Sequence, residues 1–593
     1  MLKRMLSAFV CLCLLVTGTA SSLAEAPAAH QLEKKTVPIY AEGMGKAYDE
    51  VPLWLVDGVT DLPYMDLKTL PEFLNAFWSV LYEDETPVQR YSGEYDASLQ
   101  RYTLTYTVNG AAIHFNVESG SLIFVDYELM NYGAESQPLD LLNHPEFTVD
   151  GEPYLFQRVL QPQMIRKGDF PVISLPEYGI EFITQGDQIL LPMQTLLDIL
   201  LAMPYGGLLC YNGEALFLGG GEVFFSKEYN QELGQYEKVY TELGNLYYSA
   251  APRARSKELA EYGVSELCLM MDAFYGLGEA HGIQNFYQLI ISTGLLGDLL
   301  DPDPLKADQA VATLIDAYLD DQHSAYLGNS ALAGKDGTIV SVDGYSSKSY
   351  NTLTGMYKAF QDAVMPEGRP VYQEVGDTAY VTFNEFIVKR STDYYGLDLD
   401  SEASIQDTIS LMMFAHHQIT REDSPIRNVV LDLTMNGGGN ADAAIFVIGW
   451  FLGEAQMSLV HTFTGARATN VYKVDVNQDR VFDDKDSIYA NYNLYCLISP
   501  LSFSCGNLVP WAFHASGMVT LIGDTSGGGS CIVQPMATAW GTIFQTSSPK
   551  RFSFVRNGSY YDIDQGVTPD VHLSRTRNYF DREAMTAIIH DMP

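Results

Sequence analysis

Three short segments carry the residue types and spacings that nucleophilic catalysis needs. The first is Leu497-Ile-Ser-Pro-Leu-Ser-Phe-Ser504-Cys505-Gly506-Asn507, an apolar strand ending in a small-residue turn, with a helix predicted from about Cys505. A serine hydroxyl at such a junction sits beside the positive end of the helix and its unsatisfied N–H groups, the donors that an alkoxide-like tetrahedral intermediate requires. The same position also suits a helix N-cap, and Ser502 and Ser504 both qualify for that role. The second segment is Asn428-Val-Val-Leu-Asp-Leu-Thr-Met-Asn436-Gly437-Gly438-Gly439-Asn440, a buried strand running through three glycines into a helix from about Ala441. Glycines there permit positive φ and expose backbone N–H groups to negative charge, although a tight strand-to-helix turn alone would use them too. A dinucleotide loop does not fit, because Asp442 stands where the third glycine of GxGxxG belongs. The third segment, Val519-Thr-Leu-Ile-Gly523-Asp-Thr-Ser-Gly527-Gly528-Gly529-Ser530, repeats the strand-to-glycine-loop design.

A serine nucleophile needs a base. His323 lies in Asp321-Gln-His323-Ser324, just after a helical segment that Asp320 and Asp321 close. A neutral imidazole can take a hydroxyl proton near neutral pH and return it to a leaving group. A histidine at a helix C-terminus is also favoured simply by the dipole. His514 lies about ten residues along the helix that starts beside Ser504, roughly 15 Å away by helical rise, and cannot reach it. His416 and His417 fall mid-helix between apolar residues and read as packing. A separate acidic stretch places Asp475, Asn477, Asp479, Asp483 and Asp486 at the spacing of a calcium loop, with a structural ion as its role. Arg480 occupies the usual glycine position there, and a solvated acidic hairpin loop is the alternative.

These segments need a scaffold. Residues 37–250 read as strand-rich. Asn109-Gly110 between Arg101–Thr107 and Ala112–Val117, and Asn212-Gly213 between Leu208–Tyr211 and Ala215–Leu218, are hairpin signals. Leu62-Pro-Tyr-Met-Asp-Leu and Leu191-Pro-Met-Gln-Thr-Leu echo one another as strand end, turn and helix start, and this resembles the repeated amine-oxidase N-domain-like module of exported bacterial enzymes. Residues 253–330 turn helical and end in the histidine segment. From about Thr378, strands (378–383, 428–433, 495–499, 519–523) alternate with helices (404–418, 440–453, 505–516), which predicts an α/β layered sheet.

The chain is long enough for two to four domains, and its globular composition excludes a disordered chain. A formal charge of −39, with no Lys/Arg run, argues against a nucleic-acid or anionic-membrane binder. Residues 1–24 have the basic start, short apolar run and small-residue exit of a signal peptide cleaved near Ala24, so a secreted or envelope-associated protein without stable membrane insertion is expected. Cleavage removes Cys11 and Cys13. The remaining Cys210, Cys268, Cys496, Cys505 and Cys531 form no CxxC pair or disulfide framework and read mostly as small buried hydrophobes.

Taken in order, D-L-x-x-N-x-G-G, S-x-S-x-G/S and the loop Gly523-Asp-Thr-Ser-Gly527-Gly528-Gly529, followed by Asp564-Gln-Gly566-Val567-Thr-Pro569-Asp570, resemble the motifs of the tail-specific (C-terminal processing) serine peptidases over about residues 306–575. The resemblance implies an α/β peptidase core over 331–593, preceded by the β-rich accessory region (37–250) and the helical connector (253–330). It implies Ser504 as nucleophile, an oxyanion hole from the N–H of Cys505 and of Gly437 or Gly438, and a protein or peptide substrate, with no cofactor needed for catalysis. Many members use a lysine about 25 residues beyond the serine, where this chain has Gly529; Lys550 is well past it. The branch similar to tricorn and the chlamydial secreted protease takes its base from D-x-H-S/T, matched by Asp321–Ser324, and an acid before the GVxPD strand, for which Asp564 is the first candidate and Asp562 the second. About 50 residues separate His323 from the strand at Thr378, too few for the family's PDZ domain. A catalytically inactive envelope binding protein of the same fold, or an esterase, are the alternatives.

Overall fold

Period-two burial organises the C-terminal sheet. Val429, Leu431, Cys496 and Ile498 face one apolar cluster while Val430, Tyr495 and Leu497 face another, so these strands are covered on both sides. The computed structural model describes residues 29–592 apart from 85, 87, 133–145, 150, 151, 156, 167, 222, 231–234, 341, 390, 557 and 558. The leader segment 1–24 lies outside the described residues. The six-stranded sheet runs Tyr372–Val375, Thr378–Thr382, Asn428–Asp432, Asn493–Ile498, Val519–Gly523 and Val571–His572, and the last five strands are parallel. Helices Thr408–Thr420, Ala441–Leu452 and Cys505–Ser516 bury Met412, Ile445 and Phe513 against one face. Helices Tyr345–Val364 and Arg582–His590 supply Tyr357, Met585 and Ile589 to the other. Every strand and helix expected from Thr378 to Gly523 is present, with ends shifted by up to four residues.

A second sheet wraps this core. Its strands are ordered Gln157–Arg166, Arg467–Val474, Ala455–His461, Ile543–Arg556 and Ala325–Gly328, and Cys531–Ala537 and Ser559–Asp562 also pair with the long Ile543–Arg556 strand. A strand from the N-terminal half and one from the end of the connector thus complete a sheet of the C-terminal half. The N-terminal half contributes a seven-stranded sheet and a five-stranded antiparallel one. Both expected hairpins form, with Thr105 opposite Ala112 and Tyr211 opposite Leu216. The two echo segments lie in one sheet: Tyr64–Asp66 pairs with Gln188–Pro192, and each is followed by a helix, Leu70–Leu81 and Met193–Leu197.

The connector helices Lys257–Phe274, Phe286–Thr293 and Pro304–Thr313 pack into the N-terminal core. Buried Asp308 ties them to the C-terminal half by accepting the Ser330 N–H at 2.8 Å and the Trp540 indole N–H at 3.0 Å. The five cysteines among the described residues are buried and unpaired. No helix among the described residues is long and apolar enough to cross a membrane.

Candidate active site

The three glycine and serine loops leave the carboxyl ends of three adjacent parallel strands, where open α/β sheets place their ligands. They are stitched together: Phe503 N–H donates to Asn436 O at 3.0 Å, Ser504 N–H to Gly528 O at 2.9 Å and Gly527 N–H to Ser502 O at 2.8 Å. Packing here is tight enough that a Cβ on Gly506 would lie 2.5 Å from the Asn436 carbonyl oxygen.

Ser504 is held at φ 57° and ψ −121°, in the left-handed half of backbone space that a serine rarely enters, immediately before the helix Cys505–Ser516. Such strain costs on the order of 1–3 kcal/mol and persists only where the surroundings enforce it. Its side chain makes no capping bond, so the N-cap alternative does not describe Ser504. Ser502 is the inward-facing serine: it is fully buried, donates to Leu433 O at 2.8 Å and accepts the Ser499 N–H at 2.9 Å.

His323 reaches the same place from the connector. Asp321 fixes its turn by accepting the His323 N–H at 2.8 Å, the Ser324 N–H at 2.9 Å, the Ser324 hydroxyl at 2.6 Å and the Tyr275 hydroxyl at 2.9 Å. The ring is 6% exposed and packs on Phe503 with centroids 4.6 Å apart. It borders two cavities. One, of about 430 Å³, is shared with Ser504; the other, of about 150 Å³, is shared with Asp564 and Asp321. Burial holds the imidazole below its ordinary pKa of 6.5 while Asp321 and Asp564 pull it upward, so the ring is neutral at pH 7. Among the described residues, no hydrogen bond joins the ring to Ser504 or to Asp564.

Asp564 accepts the Ser530 N–H at 3.0 Å and the Ser530 hydroxyl at 2.9 Å through Oδ1. Asp562 pairs instead with Arg551 at 2.7 Å and is 53% exposed, and it borders neither cavity. Of the two acids, the structure brings only Asp564 to the histidine.

The backbone donors divide unexpectedly. Gly437 N–H donates to Asn384 O at 3.1 Å and Gly438 N–H to the Asn436 side-chain oxygen at 2.9 Å. Both expected glycine donors are therefore spent in this structure. Among the described residues, the N–H groups of Gly439 and Cys505 have no partner, and Gly439 borders the Ser504 cavity. Sequence reasoning passed over Gly439 because all three glycines look alike until the Asn436 side chain is placed.

The residue expected at the lysine position behaves as the geometry demands. Gly529 has φ +87°, and a Cβ there would lie 2.6 Å from the Phe503 ring and 3.1 Å from His323 Cε1. Lys550 lies half-buried in the second sheet opposite His461 and borders neither cavity. His416 accepts the Trp450 indole N–H at 3.1 Å, and His417 pairs with Asp400 at 2.9 Å; His514 packs edge-on against Trp511.

The acidic loop does not assemble as the calcium spacing suggests. Asp486 accepts the backbone N–H groups of Val476, Asn477 and Asp483, Asp475 accepts that of Arg480, Asp479 that of Val481, Asp483 that of Lys485, and Asn477 that of Asp479. Arg480 itself takes the left-handed position, at φ 64°. Among the described residues, no three acidic, histidine or cysteine side chains gather so as to hold a metal ion. Each of these five side chains thus gives at least one oxygen to a turn N–H.

Residues 377–573, about a third of the chain, match Peptidase family S41. That match likens the C-terminal segment to this peptidase family. Among solved structures, the chain is similar to a putative peptidase from Parabacteroides merdae (15% identity, 56% of this chain and 97% of that one, TM-score 0.39). It is similar also to mature CPAF complexed with lactacystin (11%, 56% and 97%, 0.36) and to the photosystem II D1 C-terminal processing protease (19%, 33% and 42%, 0.24). The chain thus spans less than half the length of the D1 protease. No curated protein matches the sequence.

Proposed function

We propose that this chain is an exported serine endopeptidase in which Ser504 is the nucleophile and His323 the general base. The observation that carries the reading is a serine in strained, uncapped backbone geometry that opens onto one cavity with a buried imidazole. In the reaction, His323 takes the Ser504 proton as Oγ attacks the substrate carbonyl carbon. The N–H groups of Cys505 and Gly439 receive the resulting oxyanion. The imidazolium then gives its proton to the leaving amine nitrogen, the C–N bond breaks, and an ester on Ser504 remains. A water, deprotonated by the same ring, hydrolyses that ester and restores the serine. Asp564 orients the imidazole and balances its charge while it is protonated.

The ring must close onto Ser504 for the first step, a tightening that substrate-free sites commonly need. The same unmade hydrogen bond is what a non-catalytic binding protein of this fold would display. Matched peptide and ester substrates separate the readings. We expect peptide cleavage that Ser504→Ala abolishes; hydrolysis of esters alone would make the protein an esterase, and no hydrolysis of either would leave a binding protein. Export is tested by the N-terminal residue of the mature protein, expected just after Ala24.

A further inference from the structure

The wall of the Ser504 cavity facing the catalytic loops comes from a segment to which the sequence assigned no role. The helix Tyr345–Val364 starts where the histidine turn ends: Ser346 N–H donates to both Asp320 oxygens, at 2.9 and 3.0 Å, and Gly344 N–H to Asp316 O at 2.9 Å. A Cβ on Gly344 would collide with the Asp320 carboxylate, which fixes the entry of the helix beside His323. Residues 347, 350 and 351 have i, i+3, i+4 spacing and therefore share one face. That face is the one that borders the cavity of about 430 Å³ with Ser504 and His323, while Val533 lies on its rim. Tyr350 reaches across until its hydroxyl is 3.2 Å from where a Gly437 Cβ would stand, and that hydroxyl has no hydrogen-bond partner among the described residues. No Asp, Glu, Lys or Arg side chain lines the cavity.

We propose that Ser347, Tyr350 and Asn351 form the wall that selects the substrate residue seated beside Ser504, and that this wall admits an uncharged side chain. The proposal rests on the hydrolase reading for the chemistry after binding, but the selection itself is a property of the cleft. A charged side chain entering the cavity would lose water without gaining a group of opposite charge, which costs more than an uncharged one of equal size. Tyr350 sets the depth: its ring occupies the space next to Gly437 that a larger substrate residue would need. The small Ser347 and amide Asn351 can hydrogen-bond a polar uncharged side chain or the substrate backbone, and neither carries charge to attract an ionic one.

The test compares alanine-based peptides that differ at one position (Leu, Phe, Gln, Lys or Asp). Binding to full-length protein carrying Ser504→Ala is read by fluorescence anisotropy, and turnover by protein with Ser504 intact. We expect about a tenfold preference for Leu or Gln over Lys or Asp. Added Asn351→Asp is expected to shift the Lys-to-Leu ratio about three- to fivefold toward Lys. Tyr350→Ala should favour Phe over Leu by a similar factor, and Tyr350→Phe should leave size preference unchanged. Asn351 is exposed, and Ser347→Asp provides a second charge insertion on the same face. A selectivity shift in binding without turnover would uphold the wall and overturn the hydrolase reading. Identical selectivity in every variant, or no peptide binding at all, would overturn the wall whether or not turnover occurs.

Discussion

Asn507, in the first turn of the helix that begins beside Ser504, donates its side-chain N–H to the Ile563 carbonyl at 2.7 Å, one residue before Asp564. Its side-chain oxygen accepts the Ser526 hydroxyl at 2.7 Å, and Ser526 in turn accepts the Val567 N–H at 2.7 Å. A single buried amide therefore ties the helix that starts beside Ser504 to the loop of Asp564. Asn507→Ala strands at least two buried polar partners, at about 1–3 kcal/mol of stability. We expect a lower midpoint in urea, and a kcat that falls more than KM rises, in steady-state peptide hydrolysis.

Gly529 and His323 compete for one space, which explains in physical terms why a lysine is absent from that loop. A side chain at 529 must displace the imidazole or the Phe503 ring and hold φ +87° besides. Gly529→Ala and Gly529→Lys should both lose about tenfold or more in kcat/KM, since a misplacement near 1 Å costs about a hundredfold in a positioned site. Recovery of activity in Gly529→Lys with His323→Ala would instead favour a lysine base.

The choice between the two acids is sharp enough to measure. Asp564→Asn should reduce kcat by about a hundredfold or more, as loss of an imidazole-orienting carboxylate does. Asp562→Asn removes a half-exposed pair with Arg551 and should change kcat less than tenfold. Equal losses in both variants would shift the orienting role away from Asp564.

Burial of His323 sets the pH profile that the proposed mechanism should show. A base whose pKa lies below 6.5 is deprotonated above it, so kcat/KM should be flat near neutrality and fall only as pH drops below 6.5. Burial lowers the Lys550 pKa to about 8; a limb near 8 would point to that amine as the base. The linked stability has the same sign. The unfolded chain binds a proton at His323 at higher pH than the folded one does, so this contribution is present above 6.5 and is lost as pH falls from 6.5 through the lower folded-state pKa.

How much of this was legible in the sequence depends on how local the signal was. The strands at Asn428 and Asn493 and the loops after them are written in contiguous apolar runs ending in glycine or serine, and they form as expected. The long strand Ile543–Arg556 was not, because Thr546, Ser547 and Ser548 are buried in it where an apolar alternation would have announced a strand. The cleft helix Tyr345–Val364 was not expected either, although Tyr350, Leu353, Tyr357 and Val364 recur at helical spacing and pack on one apolar cluster; its many Ser, Thr and Asn residues read as loop. The D-x-H-S motif pointed to His323, but the close packing of its ring between Phe503 and the Gly529 backbone is a tertiary fact. Likewise, which of three consecutive glycines keeps a free N–H depends on the Asn436 side chain reaching Gly438.

The most direct test of Ser504 and His323 as a catalytic pair is covalent labelling by a fluorophosphonate, with the modified residue located by peptide mass spectrometry. A single adduct on Ser504 is expected, formed about a thousandfold more slowly, or not at all, in His323→Ala. An adduct elsewhere, or an unchanged labelling rate without the imidazole, would contradict the pairing.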